Sequence, residues 1–135
     1  MKIRATDKND RICDDDTSGY TFSMSGSIAA SGNIQTLLDK SGQKMDVPYG
    51  CYANLFFNCS SLTQAPLLPA TTLDGSCYYQ MFFGCTSLTK APVLPAETLA
   101  YGCYRSIFWG CTSLTNAYFP NLDSNTVINE VVEEN

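Results

Sequence analysis

Apolar residues in the middle of the chain fall into blocks that recur every 26 residues. Each block begins with Cys-Tyr, at Cys51, Cys77 and Cys103, and runs to a second cysteine that leads into Ser-Leu-Thr. Residues 51–76 and 77–102 agree at 15 of 26 positions. Fixed periods of roughly 20 to 50 residues are typical of units that bury an apolar face only by stacking on their neighbours. The pattern therefore predicts a solenoid.

The front of each block spaces its apolar residues as a helix would. Cys51, Leu55 and Cys59 lie four residues apart. Tyr52 and Phe56 flank them, which gives one continuous apolar face at helical periodicity. The front of each repeat is therefore expected to be a short helical turn.

The back of each block predicts a short strand. Leu62, Ala65 and Leu67 follow the L-x-x-A-x-L spacing of leucine-rich repeats. Pro69 and its counterpart Pro95 are expected to end the strand, because proline has no N–H group for a ladder. The predicted fold class is α/β: a leucine-rich-repeat solenoid with short parallel strands on one side and short helical turns on the other.

The residues before the repeats predict a cap. Tyr20, Phe22 and Met24 alternate with polar residues, as in a half-buried strand, and residues 27–31 are its expected β-hairpin partner. The third repeat is one residue shorter before its proline, and no further Cys-Tyr block follows. The expected organisation is a flexible acidic segment, an N-terminal β-hairpin cap, three repeats and a C-terminal cap or tail, over residues 1–17, 18–50, 51–120 (51–76, 77–102 and 103–120) and 121–135.

Residues 81–96, MFFGCTSLTKAPVLPA, resemble the BspA-like leucine-rich repeats of surface proteins from gut Bacteroidetes. Residues 20–38 are similar to the segment that precedes the first repeat in such proteins. The resemblance implies adhesion or ligand binding rather than catalysis, and an extracellular or cell-surface location. Residues 1–8 are not followed by an apolar stretch, which predicts no signal peptide and leaves a virion or intracellular origin open.

The charge distribution argues against two classes of partner. The chain has a formal net charge of −5, and the charged residues between positions 51 and 116 are Asp74, Lys90, Glu97 and Arg105. Nucleic acid is not an expected partner, since phosphate binding requires clustered lysine and arginine. Direct membrane insertion is not expected either, because the chain has neither a long apolar run nor a basic amphipathic face.

The seven cysteines have no histidine to accompany them. Zinc sites use closely spaced cysteine pairs, and a nucleophilic cysteine usually needs a histidine base. No metal, no cofactor and no enzymatic activity are therefore expected. A disulfide between Cys59 and Cys85 is geometrically possible, since stacked strands lie roughly 4.8 Å apart. Buried thiols packed as small apolar groups are the favoured interpretation, with Cys13 free and exposed.

Candidate ligand-binding residues recur once per repeat. The L-x-x-A-x-L pattern predicts two exposed rows along the strands, and a third set is always aromatic although it lies off the predicted helical stripe. These aromatic residues either form an exposed apolar patch for a ligand or pack on one another. The three sets are Gln64, Lys90 and Asn116; Pro66, Pro92 and Tyr118; and Phe57, Phe83 and Trp109.

The sequence thus predicts a non-enzymatic recognition or adhesion module of a bacterial surface protein. It is expected to bind a protein or carbohydrate ligand through these repeated surface columns. The alternative is a structural spacer or tip module in a larger surface or phage virion assembly, without a ligand of its own.

Overall fold

The computed structural model of the protein describes residues 20–97 and 99–121. The predictions for residues 1–17, for Cys13 and for the tail after Asn121 lie outside the described residues.

Short parallel pairings join segments that lie 25 to 35 residues apart in the chain. The described elements in chain order are β1 (Ile28–Ala29), a 3-10 helix (Ile34–Leu37), β2 (Asp46–Val47), β3 (Leu62–Gln64) and β4 (Thr72–Leu73). Strand β1 pairs in parallel with β3, and β2 pairs in parallel with β4. Isolated parallel bridges join Asn33 to Leu67 and Val93 to Tyr118. The residues before the repeats therefore lie beside the first repeat, and Val93 of the second repeat lies beside Tyr118 of the third.

The front of each repeat is not helical, contrary to the prediction. Residues 50–59, 76–85 and 102–111 are instead chains of β-turns, here called turn ribbons. Alternate N–H groups bond the carbonyl three residues earlier. In the first two ribbons, the N–H groups between these donate to backbone carbonyls of the next repeat, as the Tyr52 N–H group does to the Cys77 carbonyl at 2.8 Å. An α-helix directs its N–H groups along its own axis and would not join repeats in this way.

Left-handed residues at every fourth position explain the turn ribbons. Gly50, Asn54 and Asn58 have φ angles of 62°, 60° and 56°. A turn with positive φ at its third residue favours glycine or asparagine, and a left-handed residue cannot continue a right-handed helix. The spacing of four between buried residues suits a helix and a turn ribbon alike. The equivalent positions of the other ribbons are also left-handed, and they hold serine or glutamine as well as glycine: Ser76, Gln80, Gly84, Gly102, Ser106 and Gly110. Glycine and asparagine at every fourth position therefore distinguish a ribbon from a helix most clearly in residues 50–59.

Aromatic side chains stack from repeat to repeat inside the molecule. The buried rings of Tyr52, Tyr78 and Tyr104 are stacked with centroids 5.7 and 5.8 Å apart. A second column consists of Phe22, Phe56, Phe82 and Phe108, with neighbouring centroids 5.3 to 5.8 Å apart. Burial of large aromatic surfaces is a main source of stability in such a small core.

The predicted N-terminal β-hairpin is absent from the described residues. Residues 20–25 form no strand, and β1 pairs with the first repeat instead of folding back on its own segment. Phe22 packs on Phe56, and its N–H group donates to the carbonyl of Leu55 at 2.8 Å. Backbone carbonyls of the first repeat need hydrogen-bond donors, and the segment before the repeats provides them. A hairpin would instead use the N–H groups of that segment for bonds within itself.

The six cysteines of the described residues are buried free thiols. The second cysteine of each repeat donates a hydrogen bond from its thiol to the backbone carbonyl of the phenylalanine that lies one step earlier in the stacked phenylalanine column. Cys59, Cys85 and Cys111 donate in this way to Phe22, Phe56 and Phe82 at 3.0 to 3.1 Å. Burial raises the pKa of Cys85 to about 12 and that of Cys111 to about 11. These thiols act as small apolar groups that also satisfy a backbone acceptor.

Two members of the tyrosine column provide a matched test of hydrogen bonding. The Tyr52 hydroxyl lies 2.9 Å from the buried Gln35 Oε1, whereas the buried Tyr78 hydroxyl has no hydrogen-bond partner among the residues that the structure describes. We expect Tyr52→Phe to lower the free energy of unfolding by about 1–3 kcal/mol, because it leaves Gln35 without its donor. Tyr78→Phe should change it by less than about 0.5 kcal/mol or raise it. Urea denaturation measures both. Equal losses would indicate a water molecule on the Tyr78 hydroxyl.

Candidate functional site

The predicted polar row lies on the surface. Gln64, Lys90 and Asn116 are all exposed, one per repeat. Gln64 ends β3, and its carbonyl accepts the Ala30 N–H group at 2.9 Å, so the backbone pairs while the side chain faces solvent. The row carries two amides and one ammonium group, which can donate and accept hydrogen bonds at a ligand surface.

The second predicted row is wrong for its two prolines. Pro66 and Pro92 are buried, whereas Tyr118 is 65% exposed. The third repeat lacks a counterpart of Pro92, so Tyr118 pairs with Val93 instead. A one-residue deletion shifts every later residue by one position relative to the strand faces.

The true neighbours of Tyr118 form an exposed apolar column that the sequence pattern missed. Leu67 is 63% exposed and Val93 is 52% exposed, although L-x-x-A-x-L places Leu67 in the core. The buried leucines are the next residues, Leu68 and Leu94. The residue before the proline is leucine in the first two repeats and Phe119 in the third, so it is large and apolar throughout, whereas the position before it varies between Leu, Val and Tyr. This difference is the signal that could have revealed the column. We call Leu67, Val93 and Tyr118 the apolar column.

Backbone bonds hold the apolar column in register. The N–H group of Leu67 donates to Gly32, and its carbonyl accepts from Ile34, at 2.8 and 3.0 Å. The carbonyl of Tyr118 accepts from Leu94 at 3.2 Å. Each side chain therefore projects from a pinned backbone, which suits a rigid contact surface.

The predicted aromatic set stacks on itself. Phe57, Phe83 and Trp109, the outer aromatic column, have successive centroids 4.9 and 6.3 Å apart and planes within 13° and 20° of parallel. Phe57 and Phe83 are half-buried, and Trp109 at the end of the column is 38% exposed. The ring faces of the two phenylalanines are covered by stacking on neighbouring rings of the column, so Trp109 is the most accessible ring of the three.

Arg105 lies on the same ribbon as Trp109, and Tyr101 comes directly before that ribbon. Tyr101 is 77% exposed, and the Arg105 Nη1 atom donates to its hydroxyl at 3.0 Å. Residues 101, 105 and 109 are spaced by four, the period at which the ribbon turns its side chains outward. The outer surface of the third repeat thus combines two aromatic rings with a guanidinium group.

Among residues 20–97 and 99–121, no three His, Cys, Asp or Glu residues come together in a way that could hold a metal ion. The same ranges contain no helix long and apolar enough to cross a membrane.

Comparison with known proteins provides no relative: no family model, no curated protein and no solved structure matches the chain.

Proposed function

We propose that this chain is a short solenoid of the BspA-like leucine-rich-repeat kind that acts as a non-enzymatic recognition or adhesion module at a bacterial surface. The observation that carries the proposal is the apolar column. Its three side chains are each more than half exposed. Leu67 and Val93 lie one 26-residue repeat apart, and Val93 pairs with Tyr118.

Exposed apolar residues are common singly, but a column of three in register is a contiguous patch, and such patches are typical of interaction sites. The residues around it support this interpretation. Gln64 and Lys90 of the polar row are exposed and precede Leu67 and Val93 by three residues in the chain, so amide and ammonium groups occur close in sequence to the apolar column. An apolar centre with a polar rim is the usual anatomy of a protein interface.

The chemistry of the apolar column favours a protein ligand. Two of its three members, Leu67 and Val93, are aliphatic, and Tyr118 provides the single ring of the column on which a sugar could stack. Aliphatic side chains gain from burial against other apolar side chains, at about 25 cal/mol per Å². A partner protein with its own apolar patch therefore fits the column.

The proposal is tested by screening the purified protein against an array of extracellular proteins, beside the double variant Leu67→Ser, Val93→Ser. We expect a specific partner whose affinity falls at least tenfold in the double variant, about 1.4 kcal/mol or more. The matched control is Tyr101→Ser, which removes an exposed apolar group elsewhere on the surface and should leave the affinity unchanged.

Circular dichroism and thermal melting establish that both variants remain folded. A folded protein that binds nothing on the array, or a partner that tolerates the double variant, would contradict the proposal. The first outcome would favour a structural spacer in a larger assembly.

A further inference from the structure

The first two turn ribbons each use alternate backbone N–H groups to bond the next ribbon, and the third ribbon has an equivalent set of N–H groups. In the second ribbon, N–H groups of alternate residues bond carbonyls of the third ribbon at 2.7 to 3.0 Å; they belong to Tyr78, Gln80, Phe82 and Gly84. The equivalent N–H groups of the third ribbon have no acceptor among residues 20–97 and 99–121. We call them the donor edge: Tyr104, Ser106, Phe108 and Gly110.

The donor edge presents almost no acceptors beside its donors. Carbonyls of the intervening residues, such as Arg105 and Ile107, already accept from the second ribbon. The carbonyls of Ser106 and Phe108 accept within their own ribbon. A row of N–H groups without neighbouring acceptors makes an electropositive surface that favours anions. Tyr104 and Ser106 are buried, so Phe108 and Gly110 are the accessible members.

The side chains around this edge reinforce its positive character. Residues 99–121 contain Arg105 and no acidic residue. The bond from Arg105 to Tyr101 at 3.0 Å orients the guanidinium on the outer surface of the ribbon. Arg105 lies three residues before Phe108, so a cation and backbone donors occur within one short segment.

The same segment also has an aromatic wall. An open cavity of about 410 Å³ is lined by residues 108–112, which include Phe108, Trp109 and Gly110. Within residues 20–97 and 99–121, Trp109 stacks on Phe83 alone and is the last ring of the outer aromatic column. Indole rings combine a large apolar surface with an N–H donor, which suits ligands with both apolar and polar faces.

We propose that the donor edge, Arg105 and Trp109 form a binding site for an acidic saccharide. The sugar ring packs against the indole, and its carboxylate or sulfate accepts hydrogen bonds from the N–H groups of Phe108 and Gly110 and from Arg105. A peptide strand fits less well, because its own N–H groups would meet an edge with few acceptors to receive them. The site is separate from the apolar column and goes beyond the protein-binding function proposed above.

Trp109 makes the test direct, because it is the single tryptophan of the chain and its fluorescence reports on the site. The full chain is titrated with tetragalacturonate, with a sulfated heparin tetrasaccharide and with neutral galactotetraose. We expect saturable fluorescence changes with one or both acidic ligands, at least tenfold weaker binding of the neutral one, and weakening as salt is added. The two acidic ligands distinguish a carboxylate from a sulfate requirement.

Arg105→Met should weaken the acidic ligand at least tenfold, since hydrogen bonds to charged groups are the strong ones. Lys90→Met removes an equal charge from the polar row and should have no effect. Equal binding of neutral and acidic sugars, or equal losses in the two variants, would overturn the proposal. So would binding that appears only after Glu130, Glu133 and Glu134 are changed to Gln, since the chain's own acidic residues would then compete for the edge.

Discussion

Raising the pH from 9 to 11 is expected to destabilise this protein by about 4 kcal/mol through Cys85 and Cys111 alone. Unfolded thiols ionise near their ordinary pKa of 9.0, whereas burial raises the folded pKa of Cys85 to about 12 and that of Cys111 to about 11. Above pH 9 the unfolded state therefore loses protons that the folded state retains. Stability is fully present below pH 9 and falls by about 1.4 kcal/mol per pH unit for each such thiol.

The physical cause is desolvation, because a thiolate has no compensating charge in this core. Cys77 and the core tyrosines have raised pKa values for the same reason and add to the loss. The total stability of small domains is about 5–15 kcal/mol, so unfolding near pH 11 is the expected outcome.

Urea denaturation at pH 7.5, 9, 10 and 11 under reducing conditions measures this dependence. The double variant Cys85→Ala, Cys111→Ala is the control. It should be less stable at pH 7.5 but lose less on going to pH 11, because two of the titrating groups are gone. A free energy of unfolding that stays constant from pH 9 to pH 11 would show that the thiols are not buried as described.

Phe82→Ala should lower the free energy of unfolding by about 3–5 kcal/mol. Phe82 is fully buried and stacks between Phe56 and Phe108, at 5.4 and 5.8 Å between ring centroids. Its removal leaves a cavity in the middle repeat and interrupts a column that links neighbouring repeats. Equilibrium denaturation measures the loss.

The adjacent variant Phe83→Ala is the matched control, since it removes the same side chain from the outer aromatic column. Phe83 is half-buried, so its loss should cost about 1 kcal/mol. If Phe82→Ala does not fold, Phe82→Leu takes its place in the comparison with the outer column. It should fold, with a free energy of unfolding about 1 kcal/mol lower than that of the original protein. Similar losses for Phe82→Ala and Phe83→Ala would mean that the outer column contributes as much to the fold as the core.

The candidate surface was only partly predictable from sequence. Exposure of Gln64, Lys90 and Asn116 was predicted from their position between the leucine and the alanine of the L-x-x-A-x-L pattern, and the structure places all three at the surface. The apolar column could not be read in the same way. A one-residue deletion in the third repeat decides whether Tyr118 aligns with Pro92 or with Val93, and only backbone pairing establishes that register.

By itself, the sequence determined the period of this protein and the identity of its core columns. Tyr52, Phe56 and Cys59 recur at the same interval, and a repeated apolar side chain is buried most readily against its own copies. The tertiary structure decided the backbone that carries them. Helices and turn ribbons both place an apolar residue at every fourth position, so local spacing is the same in both. The ribbon forms because half of its N–H groups bond a neighbouring repeat, and residues that provide those acceptors lie about 25 positions away in the chain.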